Sequence, residues 1–252
     1  MKTIEIGKYK VELYDSIDEL PIKRFHKFNK YLLVDAGVGS DLNDINEKIG
    51  RIMRFVELSD KVNANMELEN LRQALYLVSQ GTNVRHLALM VLIKSVDGVE
   101  NSDLSDEKLR FLQKQLGETS VGFFNRLLQS VKKKIDNEIN LYFPGQFDDA
   151  AVKEYHDKLR FRILFQLDSI IRNADHKQEI DQIDDFLLTL AKPKVFSGKE
   201  STEIKYDRQF EDMCLFLSHE LSLDIDKLSV LQFYNSFEYI KKHRKNHGRQ
   251  SH

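Results

Sequence analysis

The sequence predicts a mostly α protein: a multi-helix bundle with a small N-terminal β-hairpin and a C-terminal two-helix extension. Three observations predict it. Apolar residues recur at helical spacing through most of the chain. With 3 Pro and 11 Gly in 252 residues, there is too little turn chemistry for an all-β fold. Strict alternation is confined to the first thirteen residues, where Ile4 and Ile6, then Tyr9, Val11 and Leu13, share faces.

Gly7-Lys8 suits a two-residue hairpin turn with glycine at its first central position. Two strands alone are marginal in water. The hairpin (1–13) must therefore lie on the helical body or join strands of a neighbouring subunit. Ser16-Ile17-Asp18-Glu19 has the form of a capping box. Pro21 fits the first turn of the helix that follows, where a missing N–H costs nothing. Phe25, Phe28 and Leu32 mark its apolar side, and Lys23, Arg24, His26, Lys27 and Lys30 its flanks. Gly37 and Gly39 stop this helix, and Ser40 or Asp41 caps the next.

The spacing predicts helices over about 42–59 (Ile45, Ile49, Ile52, Met53, Val56) and about 65–80, the latter ended by Gly81. Residues 83–96, capped by Thr82, are apolar nearly all round and read as the most buried helix. Asp97-Gly98 turns the chain. Helices follow from Ser105 to Gly117, over about 120–142, over about 149–174 with Asp148 as cap, and over about 177–191 with Asp175 as cap. The stripe of 149–174 reads Val152, Tyr155, Leu159, Ile163, Leu167, Ile170. This divides the chain into a helical body (14–145), a helical hairpin packed on it (146–192) and a linker (193–203). A two-helix segment (204–245) and a mobile basic tail (246–252) follow.

Composition narrows the chemistry. A net charge of −2 provides no global field for nucleic acid. Single Cys214 excludes an intrachain disulfide and fits a reducing compartment. The longest apolar run, Leu87 to Ile93, is too short to span a bilayer, and no signal-peptide core is present. The chain therefore reads as cytoplasmic, with no membrane partner.

No cofactor or metal is implied. The eight histidines form no HExxH pair. Gly37–Ser40 lacks the Lys-Ser/Thr of a phosphate loop, and a helix-to-helix turn is the plainer reading. The acidic run Asp97–Glu107 departs from EF-hand order. Asp148-Asp149 and Asp184-Asp185 sit where caps and helix surfaces need charge, and no GxSxG elbow is present. The expectation is a non-enzyme with no catalytic residue.

Two basic clusters remain. The run from Lys23 to Tyr31 mixes cations with aromatics. It can grip nucleic acid, anchor a protein interface, or be an ordinary amphipathic helix. Lys23, Arg24, Lys27 and Lys30 are interface candidates, with Tyr9 and Val11 of the hairpin. Lys241, Lys242, Arg244 and Lys245 near the C-terminus are candidates for nucleic-acid contact.

The segments Tyr14–Ile45, Glu67–Gly81 and Leu92–Leu109 resemble structural and assembly proteins of crAss-like phages of intestinal Bacteroidetes. The resemblance spans about 1–145 and carries no functional residue with it. It implies a virion structural protein, a subunit of a homo-oligomeric ring in the head–tail connector, neck or tail, made in the host cytoplasm. The partners implied are copies of itself, portal or other neck and tail proteins, and DNA passing through the channel. A tail-assembly chaperone or other non-virion interaction protein is the alternative, and a nucleic-acid-binding regulator the second alternative.

Overall fold

The computed structural model describes residues 1–34, 42–80, 82–117, 121–144, 150–190, 192–196 and 198–248. The expected caps and turns at Gly37, Gly39, Ser40, Asp41, Gly81 and Asp148 lie outside the described residues. Within them the chain is mostly helical, with one small antiparallel sheet at the N-terminal end.

Strand β1 (Lys2–Ile6) pairs with β2 (Tyr9–Leu13), with Ile6 opposite Tyr9 and Ile4 opposite Val11. Gly7 carries the positive φ, 60°, that the predicted turn requires. The sheet does not stop there. Strand β3 (Ile93–Val96) runs along the other edge of β2, and β4 (Val99–Glu100) closes a four-stranded sheet in the order β1-β2-β3-β4. The hairpin is thus completed by its own chain. Val11 faces Val96 and is fully buried, so its side chain belongs to the core rather than to a subunit interface. Tyr9 packs partly buried against the same core.

The run read as one helix over 83–96 is a helix and a strand. Helix α4 (Val84–Leu92) is capped by Asn83, whose side chain accepts from the His86 N–H, and not by Thr82. It ends where Ile93 turns extended. From Ile93 to Val96 the chain pairs with β2, before a turn with positive φ at both Asp97 and Gly98. Every residue from His86 to Leu92 is buried, so the expectation of a most-buried segment holds for the helical part.

Helix α1 (Ile22–Val34) lies along α4. Arg24 points inward with 7% of its surface exposed. It donates from Nη1 to the carbonyls of Val91 (2.8 Å) and Ile93 (3.1 Å), and from Nη2 to the carbonyl of Asn101. The Asn101 side chain donates to Met90 and Ile93, and the Tyr14 N–H to Leu92 (2.9 Å). The carbonyls of Met90, Val91, Leu92 and Ile93, at and just beyond the end of α4, therefore have donors. Arg24 is not the surface interface residue that its basic neighbourhood suggests.

The capping box does not form. Ser16–Leu20 makes a single turn, and both the Ser16 hydroxyl and the Ile17 N–H donate to Glu138, each at 2.8 Å. Glu138 belongs to α6 (Val121–Tyr142), which packs on α4 beside α5 (Asp106–Leu116). Ser105 caps α5 and Gly117 ends it, as the sequence predicts.

The last two helices, α9 (Thr202–Leu221) and α10 (Val230–Gly248), follow the expected linker. They are sewn to the start of α1 by backbone hydrogen bonds: Ile22 to Leu228, Val230 to Leu20 and Leu231 to Ile17, each 2.9 Å. Leu217, Val230, Phe233 and Ile240 join the one main core. The linker separates stretches of chain, not cores. Helix α10 also continues through 246–248, part of the stretch expected to be a mobile tail.

Helices α2 (Leu42–Glu57), α3 (Lys61–Ser79), α7 (Ala150–Arg172) and α8 (Lys177–Leu190) form a thinner layer. A small separate cluster, Phe55, Ala64 and Leu188, joins α2, α3 and α8. Glu67, 2% exposed, binds Lys48 and Arg51 across α2 and α3. Arg54 meets Asp185, and Arg162 meets Asp184, each at 2.6 Å.

Replacing Arg24 by Met keeps the aliphatic stem but strands buried carbonyls. The expected loss is about 3 kcal/mol in urea-induced unfolding. Lys23→Met, on the exposed pair with Asp226, is expected to change stability by no more than about 1 kcal/mol.

Candidate functional site

The spacing Lys23, Lys27, Lys30 places three cations on one face of α1. That face forms one wall of a groove of about 940 Å³. Leu87, Phe210 and Cys214 help to line it, and the opposite wall supplies Asp106, Glu203, Asp207 and Asp226. The structure brings together three of the predicted interface residues, and each is already matched. Lys23 pairs with Asp226 (2.5 Å) and Lys27 with Asp106 (2.9 Å). Lys30 sits between Asp207 (2.6 Å) and Glu203 (2.9 Å). The basic flank that suggested a grip on phosphates is neutralised by α5, α9 and the turn after α9.

His26 lies in the middle of the groove. Its ring is stacked against Tyr206 (4.5 Å between centroids) and Phe210 (4.0 Å), and Nε2 is 2.9 Å from Asp207. Burial pushes its pKa below the ordinary imidazole value, against the opposing pull of Asp207. Burial alone would raise Asp207, but Lys30 and His26 hold it below the usual carboxylate range. Burial would lower Lys30, but Asp207 and Glu203 hold it above the usual ammonium value. Burial raises the Cys214 thiol, the reverse of what a nucleophile needs. Tyr31, half-buried and donating to Asp106 at 2.7 Å, is pushed above its ordinary value by desolvation and that bond, and Tyr206 is raised to about 12 by burial. These shifts favour a neutral His26 and a charged Asp207 and Lys30 near neutrality. Among the described residues no group of three or more His, Cys, Asp or Glu is placed to hold a metal ion. No helix there is long and apolar enough to cross a membrane.

The remaining candidates are dispersed. Lys241 and Lys242 are exposed on α10, where Lys241 pairs with Glu238 (3.2 Å), and Arg244 and Lys245 continue that helix.

A surface that sequence reasoning misassigned lies on the thin layer. The apolar stripe of α7 was expected to face the body. Of that stripe Tyr155 and Leu159 are half-buried, but Ile163, Leu167 and Ile170 are exposed, and Leu164 and Ile171 beside them are exposed too, Ile170 at 79% and Ile171 at 77%. The side of α7 that meets α8 is carried by Arg162, bonded to Asp184, and by Phe165 against His176 at 4.8 Å. A second exposed row, Ile49, Met53 and Val56, runs along α2, with Met53 and Val56 each at 57%. The signal in the sequence was the doubled pattern of Arg162–Ile171, which has apolar residues on two sides of the helix and leaves open which side is covered.

His26 gives a pH test. A depressed imidazole contributes stability above the free value of 6.5, and this is lost as pH falls through the lowered folded value. Asp207 loses its contribution only below the carboxylate range, and Lys30 only above the ammonium range, so neither changes in that window. His26→Phe keeps the ring stack and removes the titration. Between pH 7 and 5 the wild type is expected to lose stability relative to the variant by up to about 1.4 kcal/mol per pH unit, read from paired denaturant titrations. Parallel slopes would refute it.

Compared with protein-family models, curated proteins and solved structures, the chain matches none of them.

Proposed function

We propose that this chain is a structural subunit of a phage particle, in a homo-oligomeric ring of the head–tail connector or tail, and that it works by docking. The observation that carries the reading is helix α7, whose residues Ile163, Leu164, Leu167, Ile170 and Ile171 face water. Exposed aliphatic surface forgoes roughly 25 cal/mol for each Å² left uncovered, and contiguous apolar patches mark interaction sites. The resemblance of residues 1–145 to phage assembly proteins supplies the setting. The groove beside α1 fits the same reading from the other direction: its charges are matched internally, so it serves as a fixed frame. The exposed Lys241 and Lys242 on α10 offer a cationic end for DNA in a channel.

Native mass spectrometry of the purified chain tests the reading. The expected result is a closed oligomer of defined subunit number. A monomer at all concentrations up to ~100 µM, two decades above a typical micromolar interface, would contradict it. Proteomics of purified particles separates a virion subunit, which is retained, from an assembly chaperone, which is absent.

A further inference from the structure

Resting on the reading that the chain assembles with itself, we infer that the contact is head-to-tail: the α7 strip of one copy packs on the α2 row of the next.

The argument starts from the direction of the two apolar surfaces. On α2, the side that meets the other helical hairpin is marked by Arg54, which binds Asp185 of α8, and by Glu47, whose charge acts on Arg162 of α7. At 3.6 residues per turn, Ile49, Met53 and Val56 lie about 140° round the helix from that side. On α7, the inward side is marked by Arg162, bound to Asp184. The centre of the strip Ile163, Leu164, Leu167, Ile170 and Ile171 also lies about 140° away from it by the same count. The layer α2–α8–α7 therefore carries apolar surface on two sides that face away from each other. One copy cannot cover one of its surfaces with the other. A second copy can.

The two surfaces also fit each other. The α7 strip is about 12 Å long and the α2 row about 10 Å, from the helical rise. The strip is broad, with rows 163–167–171 and 164–167–170 crossing at Leu167. The α2 surface is a narrow ridge, and a ridge seated between crossing rows is how helices pack. Met53, at the centre of the ridge, adapts its shape readily. The largest apolar patch on a typical monomer covers ~300–600 Å², and five aliphatic side chains between 46% and 79% exposed make a patch of that kind on α7. A stable junction needs ~1,200–2,000 Å² in all, so the polar rim around strip and ridge must close with them. Because the two sides of the junction differ, a joined pair still presents one free strip and one free ridge, on different copies. Repetition then closes a ring if the rotation per copy allows it.

Two surface variants test this: Ile170→Asp with Ile171→Asp on α7, and Met53→Asp with Val56→Asp on α2. Analytical ultracentrifugation is run on the wild type, on each variant and on their equimolar mixture, with circular dichroism to verify helicity. The expected result is wild-type assembly beyond a dimer and monomers for each variant alone. The mixture is expected to give a heterodimer and nothing larger, because it retains one intact strip and one intact ridge. If the wild type assembles but the α2 variant assembles equally well, or the mixture stays monomeric, the head-to-tail contact is wrong while self-assembly stands. A wild type that never associates removes both. Should a double variant lose helicity, Ile171→Lys and Met53→Lys take its place with the same outcomes.

Discussion

The end of α4 is the point on which the rest of this structure depends. A helix buried from His86 to Leu92 must terminate inside the protein, and its last carbonyls cannot reach water. Leaving one such group unpaired costs about 1–3 kcal/mol. The chain meets this constraint with donors from three places: Arg24 of α1, Asn101 after β4, and the Tyr14 amide after β2. Each donor holds its own segment in position. The guanidinium also lies over the Tyr14 ring at 5.4 Å, so charge, ring and carbonyls share one buried cluster. The helix α1, the sheet and the loop before α5 are thereby set relative to α4 by hydrogen bonds and not by packing alone.

How much of this was legible in the sequence depends on the range of the interaction that decides each feature. The Gly7-Lys8 turn, the Ser105 cap and the Gly117 stop are decided within a few residues, and the structure places them as read. The helix–strand division at Ile93 is not, because a short apolar run fits a buried helix and a buried strand alike. The presence of β2 alongside decides it. Ser16 and Glu19 meet the pattern of a capping box, yet a carboxylate 122 residues away takes the hydroxyl. Arg24 is one letter among basic neighbours, and only its register on α1 separates it from Lys23 and Lys27. For α7, periodicity identified apolar positions correctly but says nothing of what covers them. The candidate surface was missed for that reason.

The molecule is built with unequal reserves. The main core is continuous from the sheet through α1, α4, α5, α6, α9 and α10. The layer of α2, α3, α7 and α8 has a small separate cluster, and ion pairs such as Arg54–Asp185 and Arg162–Asp184 tie its helices together. Partly exposed pairs of this kind each contribute little. Such a layer belongs to the low-stability end of a fold, and anything that docks on it stabilises it by mass action.

The direct passage from α4 into β3 has a consequence for how the protein opens. Ile93 is at once the residue that ends the helix and the first residue of the strand, with no loop between them to absorb a local motion. The amide of Ile93 bonds within the helix, to Met90, while its carbonyl takes Arg24. Fraying the strand therefore loosens the helix end, and fraying the helix end loosens the strand. Backbone amides on either side of this junction should exchange with solvent together, at the rate of global unfolding. The sheet and the helical core share one continuous cluster of buried residues, and the N-terminal hairpin is tied to it through β2.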